Sequence, residues 1–364
     1  MLGFFKLKKL DWYIIKKFLG TYVFMLTLII SIAVVFDINE RLDRFISNQV
    51  PLREIIFDYY FTFIPFFSNL FSPLFVFLAV IFFTSKMAND SEVIAMLSSG
   101  IGFKRMMKPY MISAFVIASF SFVFGSYIIP PANATRIEFE LTYFNPNRRV
   151  TSDRNIQFRV GPSTIVFFGN FNLTTNRGYN FSMDEFDGLE LVSRLTAQSI
   201  TYNQGYSWTI HNYQIRNFDG LIETITRGSV IDTTFLITPQ DFIATRNTHQ
   251  TMTSPELRRH IANQRERGMG NIQPFLIEYH SRFAMVFSAF ILTIIGASLS
   301  ARKVKGGMGV NIFLGIALSV TYILFMTMSS AFAVQGGMNP MIAAWIPNVV
   351  FMGIAWFLYR RAPS

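Results

Sequence analysis

The sequence predicts an α-helical membrane protein with six transmembrane helices and an all-β domain inserted between helices 3 and 4. Three observations support this fold class. The chain contains long stretches without any charged residue, its middle third shows the alternation typical of β-strands, and its excess positive charge lies on alternate connections.

The uncharged stretches predict the helices. A bilayer core needs about 20 predominantly apolar residues per helix. Residues 18–36, 59–85, 109–135 and 283–301 carry no charge and fit one span each. Residues 306–359 are also uncharged and fit two spans, because "QGGMNP" at 335–340 predicts a turn between them. The first stretch is too long for the apolar core of a signal peptide, and no small-residue cleavage site follows it.

A short amphipathic segment separates the second and third stretches. It reads "KMANDSEVIAMLSSGIGFKRMMKP", and Asp90 or Ser91 can cap a helix that Gly100 and Gly102 end. Val93, Met96, Leu97 and Ile101 are predicted to share one apolar face. Such a helix either lies among lipid headgroups or docks its apolar face into the groove of a soluble partner, with Glu92 pairing a partner cation. Amphipathicity alone favours neither.

The distribution of lysine and arginine predicts the orientation. The two termini, the segment after the second stretch and the segment after the fourth together carry fourteen Lys and Arg against three acidic residues. Residues 37–58 have a net charge of −2 and residues 136–282 a net charge of +1, within a total of +10. Positively charged loops remain in the cytoplasm. Both termini are therefore predicted to be cytoplasmic, and nucleic acid is not needed to explain the basic charge.

Residues 136–282 are predicted to form an exterior domain. They contain no lysine, and short alternating runs recur, among them "NIQFRV", "STIVFFGNF", "LTAQSITYN", "YSWTIHNYQIRNF" and "IETITRGSVI". "NQG" between two runs indicates a hairpin, and several short strands at this spacing predict a sandwich or jelly-roll-like domain. "SPELRRHIANQRERG" then predicts a short connecting helix with Ser254 as N-cap and Gly268 as stop. The predicted division is 1–135, 136–270 and 271–364.

The sequence provides no residue-level support for an enzyme. It has no phosphate-binding loop of the form G-x-x-x-x-G-K-[ST] and no G-x-S-x-G. It has no cysteine, which excludes disulfides and thiolate metal sites. The four histidines lack the spacing of a metal site, and Asp184, Glu185, Asp187 and Glu190 are interpreted as a charged loop beside a turn rather than a paired-carboxylate site. The histidines are His211, His249, His260 and His280.

Several segments resemble one family in the same order along the chain. They are "LDWYIIKKFLGTY", "PLFVFLAVIFF", "SEVIAMLSSGIG", "IIPPAN", "LTAQSITYNQGYSWTIHNYQI" and "GGMNPMIAAWIPNVVF". Together they resemble the permeases LptF and LptG of the lipopolysaccharide export machine, and the opening segment is more similar to LptG. Each motif alone is weak, but their joint order is specific and extends over essentially the whole chain.

The resemblance implies a subunit of an ABC transporter in the Gram-negative inner membrane. In that family two paralogous permeases pair, bind an LptB-like ATPase dimer and extract lipopolysaccharide, which passes through a jelly-roll-like periplasmic domain to a bridge that includes an LptC-like protein. The chain itself needs no cofactor, since ATP and magnesium belong to the ATPase. The segment at about 90–102 corresponds to the coupling helix. Its implied ATPase-coupling residues are Glu92, Val93, Met96, Leu97, Gly100 and Ile101.

The resemblance also implies where the lipid binds. An apolar cavity wall is expected from spans one, four and five, with helix packing or general lipid contact as the alternative; its residues are Phe24, Leu28, Ile32, Phe287, Phe290, Ile294, Phe313, Ile316, Val320 and Leu324. Headgroup phosphates are expected at Arg41, Arg44, Arg136 and Arg282, since the arginine fork can bind two oxygens; pairing with nearby acids or snorkelling is the alternative.

One departure qualifies the lipid site. Family members can carry lysines near the outer end of span one, where this chain has "VVFDINERLDRF". Phosphate contacts must then come from other residues, or the lipid carries fewer phosphates. Two other functions remain open at this point: a lipoprotein-release or efflux-type ABC permease, and a membrane-anchored periplasmic sensor or scaffold.

Overall fold

A computed structural model describes residues 7–144, 154–220, 222–235, 237–239, 248–266, 272–302 and 307–362. The chain divides into two compact units. The first comprises Met1–Arg136 and Leu276–Ser364, and the second comprises Ile137–Phe275. The first is helical and the second is built around a β-sheet.

Within the described residues, six helices are long and apolar enough to cross a membrane, as the uncharged stretches predict. The α-helices are α1 (Lys9–Ser47), α2 (Phe61–Leu70), α3 (Ser72–Asn89), α4 (Glu92–Ser98), α5 (Phe103–Val123), α6 (Ile129–Phe139), α7 (Ser254–Glu266), α8 (Gln273–Ser300), α9 (Gly307–Val334) and α10 (Pro340–Arg360). The turn at 335–340 separates α9 from α10 as predicted.

The second and third spans contain irregular turns. A helical turn (Leu52–Glu54) and a π-helical segment (Ile55–Tyr60) precede α2, and α2 contains Pro65, which removes one backbone hydrogen bond. A second π-helical segment (Phe124–Ile128) joins α5 to α6, and a third (Glu140–Phe144) follows α6. These turns lengthen both spans beyond the apolar stretches that predict them.

Helix α3 is the centre of the helical unit, because it packs against α1 and α9 and most of its side chains are buried. Gly296 of α8 lies so close to it that an added Cβ would stand 2.9 Å from Val80. Buried polar side chains also join the spans: the Asn311 amide donates to Ser85 at 3.1 Å. Asn348 of α10 accepts from the Tyr322 hydroxyl at 2.9 Å and donates to the Ala284 carbonyl at 2.8 Å.

The second unit contains a six-stranded antiparallel sheet in the order β1-β2-β3-β4-β5-β6. Its strands are β1 (Arg154–Arg159), β2 (Thr164–Asn172), β3 (Arg177–Asp187), β4 (Glu190–Tyr202), β5 (Ser207–Asp219) and β6 (Ile222–Thr234). Each strand pairs with the next in sequence, so the described strands form a meander. The "NQG" hairpin joins β4 to β5, with Gly205 at a φ of +65°.

One face of this sheet covers an aromatic core. Phe168 is fully buried, and its ring centroid lies 5.0 Å from that of Phe181 and 5.9 Å from that of Trp208. Trp208 is also fully buried and donates its indole N–H to the carbonyl of Ile237 at 3.1 Å. The apolar positions of the alternating runs are therefore this unit's core.

The acidic group at 184–190 is part of a β-hairpin and not a loop. Asp184, Glu185 and Asp187 lie on β3 and Glu190 begins β4. Asp184 accepts two hydrogen bonds from Arg194 on the neighbouring strand, at 2.7 Å each. The prediction of a charged loop is wrong, because cross-strand pairing with arginine allows these acids to occupy strand positions.

Helix α7 begins one residue earlier than predicted. Ser254 is its first residue, and the backbone N–H and hydroxyl of Thr253 both donate to Glu256 at 2.8 Å. Thr253 is therefore the cap. These hydrogen bonds hold the pKa of Glu256 below its ordinary value. The predicted stop, Gly268, lies outside the described residues. Among the described residues no group of His, Asp and Glu is placed to hold a metal ion.

Candidate functional site

The short helix α4 occupies the connection between the second and third spans. It covers Glu92–Ser98, which is shorter than the predicted 90–102. Ser91 takes the N-cap position with a φ of 62° and makes no side-chain cap, so neither predicted capping bond forms. Gly100 has a φ of +81°, a conformation that favours glycine, and the chain reverses there into α5. Helix α4 is therefore a short helix in a tight connection between the second and third spans.

The apolar face of α4 packs against this chain. Val93 is fully buried and Met96 is 8% exposed, in a cluster with Ile14 and Phe18 of α1 and with the start of α5. Leu97 is half-buried against the same cluster. The prediction that Val93 and Met96 fill a partner's groove is wrong, because helices of the same chain already cover them.

The exposed side of α4 consists of other residues. Ile94 is 53% exposed, and Ala95, Ser98 and Gly100 are also exposed. Ile101, predicted as a groove residue, is half-buried. A partner that approaches α4 from outside the chain therefore meets Ile94 and Ala95 before the residues expected from the sequence.

Glu92 is bound by two side chains of α1. The Tyr13 hydroxyl donates to its carboxylate at 2.9 Å and 3.0 Å, and the Lys17 ammonium donates at 3.1 Å and 3.2 Å. Lys17 also lies over the Tyr13 ring at 4.4 Å. The Glu92 and Lys17 side chains are 29% and 30% exposed, so water screens this pair only in part.

A second ion pair joins the start of α1 to the start of α5. Arg105 donates to the two carboxylate oxygens of Asp11 at 2.6 Å and 2.7 Å, and the backbone N–H of Lys8 donates to the same carboxylate at 2.9 Å. The Asp11 side chain is 1% exposed. A bidentate arginine and a backbone N–H together compensate for its loss of water.

The predicted headgroup arginines Arg41, Arg136 and Arg282 are held by polar side chains of the same chain. Arg41 pairs with Asp37 at 2.9 Å. Arg136 donates to Asn133 at 2.7 Å. Arg282 has a side chain only 6% exposed and pairs with Glu278 at 2.9 Å.

The prediction of phosphate contact is therefore wrong for Arg282, because its burial keeps a headgroup away. The Asp37 carboxylate that holds Arg41 also accepts from the hydroxyls of Tyr59 and Tyr60, which fixes it to the second span. Arg44 is exposed at the end of α1. It is the predicted headgroup residue whose exposure fits that role best.

The residues of the predicted cavity wall also differ in exposure. Eight of its residues are between 44% and 70% exposed in the chain by itself: Phe24, Leu28, Ile32, Phe287, Phe313, Ile316, Val320 and Leu324. Phe290 and Ile294 are half-buried and pack against the helical core. This contact is the one that the alternative of helix packing predicts for these two residues.

Sequence reasoning missed the residues of α1 that hold α4. Tyr13 and Lys17 are four residues apart and so share one helix face, and Asp11 is an acid in the first turn of α1. These signals are visible in the sequence. They were not connected to Glu92 and Arg105, because both partners lie more than 70 residues further along the chain.

The chain matches the model of one protein family over residues 12–361, and that family is described as lipopolysaccharide export system permease LptF/LptG. The family model covers both permeases and does not distinguish between them. No individual curated protein matches the sequence. Since the match spans nearly the whole chain and the six apolar helices and β-sheet agree with it, the chain belongs to this family.

Proposed function

We propose that this LptF/LptG-family chain is a permease subunit of an ABC transporter that extracts lipopolysaccharide from the inner membrane and passes it to a periplasmic bridge. A separate ATPase supplies the energy. The observation that carries the proposal is the family match over residues 12–361. It is supported by the absence from the sequence of a phosphate-binding loop, which makes ATP hydrolysis the task of a partner.

The charge distribution supports an orientation with both termini and α4 in the cytoplasm and the β-sheet unit in the periplasm. The two termini, the segment between the second and third spans and the segment after the fourth span together carry fourteen Lys and Arg against three acidic residues. Reporter fusions after Asn176, in the turn between β2 and β3, and after Ala362 should report opposite sides of the membrane. If both report the same side, the proposed orientation is wrong.

The ATPase would contact the exposed side of α4. Ile94 offers an apolar side chain, and Ala95 and Ser98 are small enough to allow close approach. Leu97, Gly100 and Ile101 remain proposed as coupling residues through the shape of the turn. Val93 and Met96 would act only by fixing the position of α4.

The lipid would be held by the exposed apolar faces of α1, α8 and α9. A second, paralogous permease that covers these faces would turn them into the wall of a shared cavity, in which acyl chains replace lipid contact. Arg44, with Arg41 and Arg136 at lower exposure, would meet headgroup phosphates through the planar arginine fork. An LptC-like bridge protein would receive the lipid from the β-sheet unit.

Gentle purification followed by identification of bound molecules tests the proposal. We expect a paralogous permease, a soluble ATPase and bound lipopolysaccharide. Lipoprotein in place of lipopolysaccharide would indicate the lipoprotein-release function. Neither an ATPase nor any lipid would indicate a sensor or scaffold, and either result would overturn the proposal.

A further inference from the structure

We infer that Glu92 acts inside this chain: it ties α4 to α1, the Asp11–Arg105 pair forms a second tie, and the two together make the first span move with α4. The inference rests on the proposed function, because it concerns how ATPase-driven motion reaches the lipid cavity. It assigns Tyr13, Lys17, Asp11 and Arg105 as positioning residues.

The first tie satisfies both oxygens of Glu92. Each oxygen accepts one hydrogen bond from the Tyr13 hydroxyl and one from the Lys17 ammonium, all between 2.9 Å and 3.2 Å. Because Tyr13 and Lys17 lie one helical turn apart, they close on the carboxylate from one face of α1. Tyr13 and Lys17 therefore orient the carboxylate toward α1, and the Glu92 side chain stays 29% exposed.

The second tie lies at the other end of α4. Asp11 is at the start of α1 and Arg105 is in the first turn of α5, directly after the turn that ends α4. The pair is bidentate and almost completely removed from water on the Asp11 side. The first residue of α4 and the start of α5 are therefore both held to the first 17 residues of the chain.

An apolar core lies between the two ties. Ile14 and Phe18 of α1 and Val93 and Met96 of α4 belong to one buried cluster, with no more than 8% exposure at any of them. Packed side chains resist relative sliding, and two ion pairs on the same contact resist rotation. The contact is therefore a rigid joint between α4 and α1.

This joint has a consequence at the far end of α1. Helix α1 runs without interruption for 39 residues, which is about 58 Å at 1.5 Å per residue. Beyond the joint it carries the exposed wall residues Phe24, Leu28 and Ile32, and then Arg44. A displacement of α4 by the ATPase would turn or tilt this helix and so move the cavity wall directly.

Charge exchange separates an internal tie from a contact with the partner. Lys17→Glu and Glu92→Lys should each lower ATP-driven lipopolysaccharide release by about tenfold or more, because each places like charges together. The double variant restores the pair in reverse and should recover release to within about threefold of the parent. Lys16→Glu is the matched control, since Lys16 is exposed beside the joint, and it should release lipid as the parent does.

Two outcomes overturn the inference. If Glu92 works by pairing a cation on the ATPase, the double variant stays as inactive as Glu92→Lys and loses the ATPase on purification. If Lys17→Glu transports normally, the tie is not needed.

Melting temperatures of the same proteins provide a measurement that does not depend on transport: the double variant should recover stability that both single variants lose. A parent that releases no lipopolysaccharide while this recovery holds would count against the proposed function and not against the tie.

A cross-link tests whether the joint stays closed during the cycle. The chain has no cysteine, so Lys17→Cys with Glu92→Cys gives a unique pair that a short bifunctional maleimide can join. The cross-linked protein should release more lipid than the same variant left unlinked, because the link replaces the lost tie. If cross-linking stops release, α4 has to separate from α1 and the rigid joint is refuted.

Discussion

Arg282 and Arg44 should respond differently to the same charge reversal. Both were expected at the headgroup from the sequence, but the Arg282 side chain is 6% exposed and pairs with Glu278, whereas Arg44 is exposed at the end of α1. Arg282→Glu should therefore destabilise the fold. Arg44→Glu should leave the fold intact and lower the amount of lipopolysaccharide that remains bound.

The burial of Arg282 determines how much stability Arg282→Glu should lose. Removing one partner of a buried pair costs about 3–5 kcal/mol, and the Glu278 side chain is 25% exposed, which favours the lower end, about 3 kcal/mol. A folding unit of about 150–250 residues, the size range of the helical unit, loses about 2–4 °C in Tm per kcal/mol, so the expected loss is about 6–12 °C. Arg44 is exposed, and an exposed ion pair contributes about 0–1 kcal/mol to stability, so Arg44→Glu should lower Tm by at most about 4 °C.

Thermal unfolding in detergent and lipid quantification after purification measure both effects on one preparation. The reasoning is refuted if Arg282→Glu melts with the parent and loses lipopolysaccharide, since Arg282 would then contact phosphate and not Glu278. It is also refuted for Arg44 if Arg44→Glu retains as much lipid as the parent. In that case the headgroup is recognised elsewhere.

Three further predictions concern the two units. Asn348→Leu should destabilise the helical unit by about 1–3 kcal/mol, because it removes the hydrogen bonds to Tyr322 and to the Ala284 carbonyl. Tyr322→Phe removes only the first of these hydrogen bonds and should destabilise the unit less, as measured by thermal unfolding. Phe168→Ala should cost about 3–5 kcal/mol in the β-sheet unit, read as early loss of protection from hydrogen exchange on β2–β4. Thr253→Ala should weaken the start of α7 by about 1 kcal/mol. The pKa of Glu256 is lowered in the folded protein, so its contribution to stability is complete above its ordinary pKa of 4.5 and is lost as pH falls through the lowered value. Proteolysis at α7 should therefore increase at low pH, and Thr253→Ala should reduce that increase. Equal pH profiles of proteolysis for Thr253→Ala and the parent would contradict this last prediction.

The helices and most strands could be predicted because each depends on local pattern. The uncharged stretches locate all six apolar helices of the described chain, and alternation locates five of its six strands. Strand β3 was missed because its alternation of Tyr179, Phe181 and Met183 is interrupted by acidic residues. Those acids were interpreted as a loop, since the sequence does not show that Arg194 pairs with Asp184.

The candidate site was less predictable because it depends on contacts between distant segments. Helical spacing identified the apolar face of α4 correctly, but periodicity cannot tell whether a face is covered by the same chain or by a partner. Val93 and Met96 are covered by α1, and Glu92 is bound by residues 75 and 79 positions earlier. The same limit applies to Arg282, whose burial depends on the packing of several spans.

ATP-driven release of lipopolysaccharide from proteoliposomes tests the central claim most directly. The vesicles should contain this chain, its paralogous permease, the ATPase and lipopolysaccharide, with a periplasmic acceptor outside. The account predicts release that requires ATP, is lost with Lys17→Glu and is retained with Lys16→Glu. Release of a lipoprotein but not of lipopolysaccharide, or no ATP-dependent release from the complete set, would contradict it.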